Sequence, residues 1–92
     1  MHDWTLISVV FEWDVGRVTL SFKSHEGSKT LVAHSVVDLR MSQFNEWGPS
    51  VSVNTVKGPF TADNGLHSIE IEMQSGDTIK ITASSFQMPG EA

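Results

Sequence analysis

Apolar and polar residues alternate with period two over most of this chain, most clearly between His67 and Ser84. Ile69, Ile71 and Met73 alternate with Ser68, Glu70, Glu72 and Gln74; after Ser75-Gly76-Asp77, the residues Ile79, Ile81 and Ala83 alternate with Lys80, Thr82 and Ser84. Such alternation on both sides of a glycine turn predicts an antiparallel hairpin with one dry and one wet face. Keeping the apolar set together requires an odd number of loop residues, because a one-residue slip turns every side chain over. A three-residue loop, Ser75 to Asp77, meets that condition and sets Met73 opposite Ile79 and Ile71 opposite Ile81. Glu70, Glu72 and Lys80 then form charge pairs on the wet face.

Trp4 to Trp13 is the most apolar run. Ile7, Val9, Phe11 and Trp13 make one face, and Trp4, Leu6 and Val10 a second. That pattern predicts a central strand covered on both sides, with at least one of Trp4 and Trp13 in the core. Asp14-Val15-Gly16 ends the run, and Val18, Leu20 and Phe22 then alternate with Arg17, Thr19, Ser21 and Lys23 in a strand with one dry face. Matching it to Phe11 and Trp13 needs an even loop. Of Val15-Gly16 and the four residues Asp14 to Arg17, the longer is favoured, since valine resists the positive φ of a primed two-residue turn.

Ser24 to Ser28 is a polar turn. Thr30 to Leu39 predicts a strand with a bend or bulge near His34-Ser35, where the alternation changes phase: Val37 and Leu39 continue the face of Leu31 and Ala33 only if Ser35 is tucked inward. A short helix over Val36 to Phe44 competes, weakened by adjacent valines and the lack of a capping box. Met41 to Ser50 reads as a loop, with turn chemistry from Asn45, Gly48 and Pro49. Val51, Val53 and Val56 mark a further strand closed by Lys57-Gly58-Pro59. Phe60 to Leu66, around Asp63-Asn64-Gly65, feeds the final hairpin, and the tail from Phe86 to Ala92 is expected to fray. The expected fold is all-β: a single small antiparallel β-sandwich or barrel of about six to seven strands with hairpin connections, residues 1–92 forming one domain.

Composition narrows the setting. A chain of 92 residues has room for a single core. The absence of cysteine favours a reducing compartment. Met1-His2-Asp3-Trp4 lacks the basic start of an export signal, and Leu6 to Phe11 is too short for a membrane span. The expectation is a soluble, cytoplasmic domain. A net charge of −5, with Arg17, Lys23, Lys29, Arg40, Lys57 and Lys80 scattered, argues against nucleic acid and would attract a basic protein.

Candidate chemistry is sparse. His2, His25, His34 and His67 never fall at the spacing that puts two imidazoles on one side of a strand or helix, so no metal site is indicated. There is no Gly-x-Ser-x-Gly elbow, and Glu70 and Glu72 read as a solvated stripe rather than a catalytic pair. No phosphate-loop glycine spacing is present. These readings imply a domain that is not an enzyme and takes no cofactor. Trp47, within Asn45-Glu46-Trp47-Gly48-Pro49-Ser50, is open to two readings. It folds back as a plug over the end of the sandwich, or it anchors a partner, ringed by Glu46 and Asp63.

The segments His2-Asp3-Trp4, Phe11-Glu12-Trp13, Glu46-Trp47-Gly48-Pro49-Ser50 and Glu72-Met73-Gln74-Ser75-Gly76-Asp77 together resemble a group of short bacterial all-β proteins, the immunity proteins of polymorphic toxin systems. The resemblance spans most of the chain and rests on short motifs of turn residues and aromatics. It implies a cytoplasmic protein that binds and blocks a cognate toxin and performs no reaction. No toxin-contact residues carry over from it. The leading expectation is therefore a protein-interaction domain inhibiting a basic toxin, with Trp47, Glu46 and Asp63 at the binding surface. Two alternatives stay open. One is a small-ligand or carbohydrate binder with a pocket of at least ~300 Å³; the other is a homo-oligomer built by pairing exposed strand edges.

Overall fold

The computed structural model describes residues 3–42 and 52–89. Among these the chain forms six strands and no helix: β1 (Thr5–Glu12), β2 (Arg17–Ser24), β3 (Gly27–Met41), β4 (Val53–Thr61), β5 (His67–Met73) and β6 (Thr78–Gln87). All lie in one antiparallel sheet of order β1-β2-β3-β6-β5-β4. The expected small all-β architecture is what forms, as two three-stranded meanders joined by pairing their last strands, β3 with β6. The outer strands meet at one end, where Thr5 bridges Ser52 and Val53 N–H donates to the Trp4 carbonyl at 2.9 Å, so the sheet curls closed there.

Every second residue of β2, β5 and the start of β6 points inward, and these positions hold the core: Val18, Leu20 and Phe22; Ile69, Ile71 and Met73; Ile79, Ile81 and Ala83. Leu31 and Ala33 of β3 complete its middle, with Leu6 and Val53 at the closed end. Burying each large aliphatic side chain contributes about 1.5–3 kcal/mol, which makes this face the main source of stability.

The last hairpin keeps the expected faces but shifts its register by two residues. Ile71 lies opposite Ile79 and Ile69 opposite Ile81, not Met73 opposite Ile79. Met73 N–H donates to the Asp77 carbonyl at 2.8 Å and Gly76 N–H to the Met73 carbonyl at 2.9 Å, so the loop is Gln74-Ser75-Gly76. Gly76, at φ 93°, takes the left-handed position that ends a three-residue hairpin loop. The loop is odd, as the alternation demands; the glycine decides which three residues form it.

β1 corrects the expectation of a central strand covered on both sides. It is an outer strand with one extra residue, since Leu6 faces Phe22 and Ser8 faces Ser21, leaving Ile7 as a bulge. The bulge exchanges the faces: Leu6 points inward before it, Val9 and Phe11 pack on the core after it, and Ile7 and Val10 are exposed. One dry face thus draws on both apolar sets, Trp4 and Leu6 from one and Val9 and Phe11 from the other, and leaves Ile7, Val10 and Trp13 outside it. Trp4 packs against Phe22 with ring centroids 5.9 Å apart. Trp13 leaves the strand altogether, because Glu12 faces Arg17 and the four-residue turn runs from Trp13 to Gly16, one residue earlier than expected. Arg17 closes that turn by donating twice to the Glu12 carboxylate, from Nε and Nη2, each at 2.8 Å.

β3 bends where the alternation breaks, though not as expected. Ser35 is exposed at φ 52° rather than tucked inward, and a second bulge falls at Val37, between Val36 opposite Ala83 and Asp38 opposite Thr82. Val36 and Leu39 therefore pack on the core, while Val37 points out. The strand continues to Met41, so the competing helix does not form over its described part. β4 likewise runs through Lys57-Gly58-Pro59 to Thr61 instead of ending there. It absorbs Gly58 and Pro59 as a bulge between Lys57 opposite Glu70 and Phe60 opposite Ser68, which an outer strand tolerates because proline's missing N–H has no neighbour to serve. The tail is not frayed at its start: Phe86 lies opposite Ala33 in β6 and packs on the core with Met88. Residues 90–92 lie outside the described residues.

Candidate functional site

The bend at Ser35 carries the second half of β3 away from β2 and past the first turn, where Val36 N–H donates to the Gly16 carbonyl at 2.8 Å. Between this half-strand and β1 lie two cavities that share Phe11 and Leu39. One, of about 430 Å³, is lined by Phe11, Trp13 and residues 36–39. The other, of about 480 Å³, is lined by residues 6–9, Phe11, Leu39 and Met41. Together they form a groove with apolar walls. Trp13, 86% exposed, stands on its rim with its ring centroid 5.2 Å from that of Phe11; Ile7, Val37 and Met41 are also exposed along it.

Charge at the groove is local and paired. Arg40 Nε donates to Asp38 Oδ2 at 3.1 Å beside one wall. At the turn, the hydrogen bond from Arg17 holds the Glu12 carboxyl below its ordinary range, outweighing the opposing effect of partial desolvation. The same pairing raises the Arg17 guanidinium further above its already high value.

Elsewhere, a buried carboxylate marks a structural tie. Asp77, 2% exposed, accepts from Ser42 Oγ at 3.2 Å and from Ser75 Oγ at 3.1 Å, while Ser42 Oγ also accepts the Thr78 N–H at 3.1 Å. These bonds fasten the end of β3 to the start of β6. A third cavity, of about 320 Å³, lies between Pro59, Thr61, His67, Ser85 and Phe86, where His67 Nδ1 is 3.0 Å from Thr61 Oγ1. Among the described residues no three His, Cys, Asp or Glu side chains come together.

Of the residues singled out by sequence, Trp47 and Glu46 lie outside the described residues. Asp63 is exposed in the β4–β5 turn, which is held by Gly65 N–H to the Ala62 carbonyl at 3.0 Å and Leu66 N–H to Asn64 Oδ1 at 3.1 Å; it lines neither groove cavity. The groove residues Ile7, Trp13, Val37 and Met41 were not singled out as a binding surface. Their signal was present in the surplus of apolar residues from Trp4 to Trp13, more than one sheet face can cover, and in the adjacent Val36-Val37.

No protein-family model matches the chain, and no curated protein matches it. Among solved structures, the crystal structure of an uncharacterized protein from Neisseria gonorrhoeae is similar, with a TM-score of 0.64 and 17% identity over 95% of this chain and 90% of that one. At that identity the likeness establishes a shared fold and nothing about function.

Proposed function

We propose that this chain is a non-enzymatic protein-binding domain that docks its partner in the groove between β1 and β3. Following the resemblance to immunity proteins, the partner is a cognate toxin and docking blocks it. The observation that supports this most is the row of exposed Ile7, Trp13, Val37 and Met41 along a groove floored by Phe11 and Leu39. Water-facing aromatic and aliphatic side chains gathered around a concavity are what a partner's apolar anchors need. The net charge of −5 steers a basic partner toward the domain.

A photo-reactive amino acid at Val37, on the groove wall, tests this in the producing cells, with Lys23 as a control outside the groove. The expected result is one covalent adduct with a single basic protein from Val37 and none from Lys23. Trp13→Ala should weaken the complex by about 2 kcal/mol or more. Absence of an adduct from Val37, or equal adducts from both positions, would overturn the reading.

A second reading takes the same groove for a small apolar ligand, because each cavity exceeds the ~300 Å³ such a molecule needs and Phe11 and Trp13 line one of them. It predicts a defined small-molecule mass in native mass spectrometry and no protein adduct.

A further inference from the structure

We propose that Asn64 is a site of self-modification: in the folded chain its side chain closes onto the Gly65 nitrogen as a succinimide, which water opens to aspartate and isoaspartate. The inference stands apart from the groove, since Asn64 lines neither of its cavities.

The reaction needs an accessible side-chain amide and an uncrowded main-chain nitrogen next to it. Of the three asparagines in the sequence, Asn64 alone precedes a glycine. Gly65 brings no side chain across the path of attack, and a Cβ built on it, at its φ of 83°, would meet no atom within 4 Å. Both residues are exposed, in the turn between β4 and β5.

The turn also presets the geometry. Leu66 N–H donates to Asn64 Oδ1 at 3.1 Å, and the ring closed by that bond contains both reacting atoms, Cγ of Asn64 and the nitrogen of Gly65. It folds the side chain back over the main chain that follows, so part of the ordering that attack requires is already in place. The same N–H polarises the side-chain carbonyl and stabilises the oxyanion that forms as the nitrogen attacks. One bond opposes the reaction. Gly65 N–H donates to the Ala62 carbonyl at 3.0 Å and must release it before the nitrogen loses its proton. That bond lies in exposed turn backbone, the kind that opens locally without unfolding the domain.

Water is the only co-reactant. The Gly65 nitrogen gives its proton to hydroxide and bonds to Cγ; the Cγ–Nδ2 bond breaks and ammonia leaves. Water then adds at one of the two ring carbonyls. Opening the Cγ–N bond restores the ordinary main chain with an aspartate, whereas opening the other C–N bond routes the main chain through Cβ and Cγ as isoaspartate. Either product sets a new carboxylate beside Asp63 and makes the net charge of −5 one unit more negative.

Asn54 provides the contrast. Its Nδ2, the atom that would have to leave, donates to Glu72 Oε1 at 2.7 Å. The residue after it is Thr55, within β4, whose branched side chain crowds its own main-chain nitrogen.

The test holds the purified chain in warm, mildly alkaline buffer, with and without urea, and follows it by intact mass and peptide mapping. Electron-transfer fragmentation distinguishes isoaspartate from aspartate. We expect Asn64 to gain one mass unit in the folded chain at a rate within tenfold of that in urea, with isoaspartate among the products. Asn54 should convert at least tenfold more slowly than Asn64 in the folded chain. The rate at Asn64 should rise with pH, as loss of the Gly65 proton requires, and Asn64→Gln, which would have to close a larger ring, should slow it at least tenfold. Conversion of Asn64 more than tenfold slower in the folded chain than in urea would overturn the proposal, by showing that the turn protects the residue. So would a product lacking isoaspartate, the mark of direct hydrolysis, or equal rates at Asn64 and Asn54.

Discussion

The two meanders have the same number of strands and opposite characters. In the second, the inward positions of β5 and β6 are filled without interruption by Ile69, Ile71, Met73, Ile79, Ile81 and Ala83, and Phe60 is its single exposed large apolar residue among those described. In the first, β1 and β3 each carry a bulge, and six large apolar residues are exposed: Ile7, Val10, Trp13, Val15, Val37 and Met41. A shared core does not require this asymmetry. Both halves feed the core, but the first also holds a surplus of apolar side chains out to solvent.

The largest effect that would break this division is expected at Ile71. Its side chain is fully buried between β4 and β6 neighbours, so Ile71→Ala should cost about 2–5 kcal/mol in a urea melt. Ile7→Ala, at a residue 61% exposed, should stay within about 0.5 kcal/mol. Comparable losses from the two would mean that Ile7 is needed for folding, and the exposed row of the first meander would lose its claim to be kept for binding.

The glycines give a smaller and sharper comparison. At Gly58, φ is 101° and an added Cβ would lie 2.7 Å from the Ser68 carbonyl oxygen, a backbone atom of the adjoining strand. Gly58→Ala should cost about 2–3 kcal/mol, from the positive φ together with the shift β5 must make. At Gly76, φ is 93° and no atom lies within 4 Å of the added group, so Gly76→Ala should cost about 1–2 kcal/mol from backbone conformation alone. Equal losses in chemical denaturation would show that the β4 bulge yields easily to the added group.

The same asymmetry governed what could be read from the chain. Strict alternation made β2, β5 and β6 legible, down to the parity of their loops, because a residue period of two has one physical meaning on a half-buried sheet. The register of the last hairpin slipped by two because parity alone does not say which odd loop forms; the left-handed requirement met by Gly76 does. Where a strand carries a bulge, alternation misleads. Ile7 made β1 look two-faced and therefore central, and Ser35 with Val37 hid the path of β3. The groove lies between those two bulged strands, so the features that obscured the fold also obscured the candidate site. Asp77 was missed for another reason: its burial depends on Ser42, distant in sequence.

The smallest expected effect lies at the turn that carries Trp13. Arg17 holds Glu12 in a doubly hydrogen-bonded ion pair, whereas the corresponding turn of the last hairpin is closed by main-chain bonds from Met73 and Gly76 and by serine hydroxyls on the Asp77 carboxylate. Only the first turn should therefore respond to acid through its own ion pair. The Glu12 carboxyl is held below its ordinary value of 4.5, chiefly by the Arg17 hydrogen bond. Its ionised form is the one the folded state favours. The contribution is thus fully present above the ordinary glutamate value and is lost as pH falls through the lower, folded one. Glu12→Gln keeps the shape and removes the charge, so its Tm should lie below that of the parent chain at neutral pH. That gap should close as the pH falls below the folded value, and it should also narrow in high salt, since both side chains are about two-fifths exposed. A gap unchanged from neutral to strongly acidic pH would assign the loss to shape and take the ion pair out of the account. Because Phe11 and Trp13 flank Glu12, a turn that loosens on protonation also frees the ring on the groove's rim, so binding in the groove should weaken in acid.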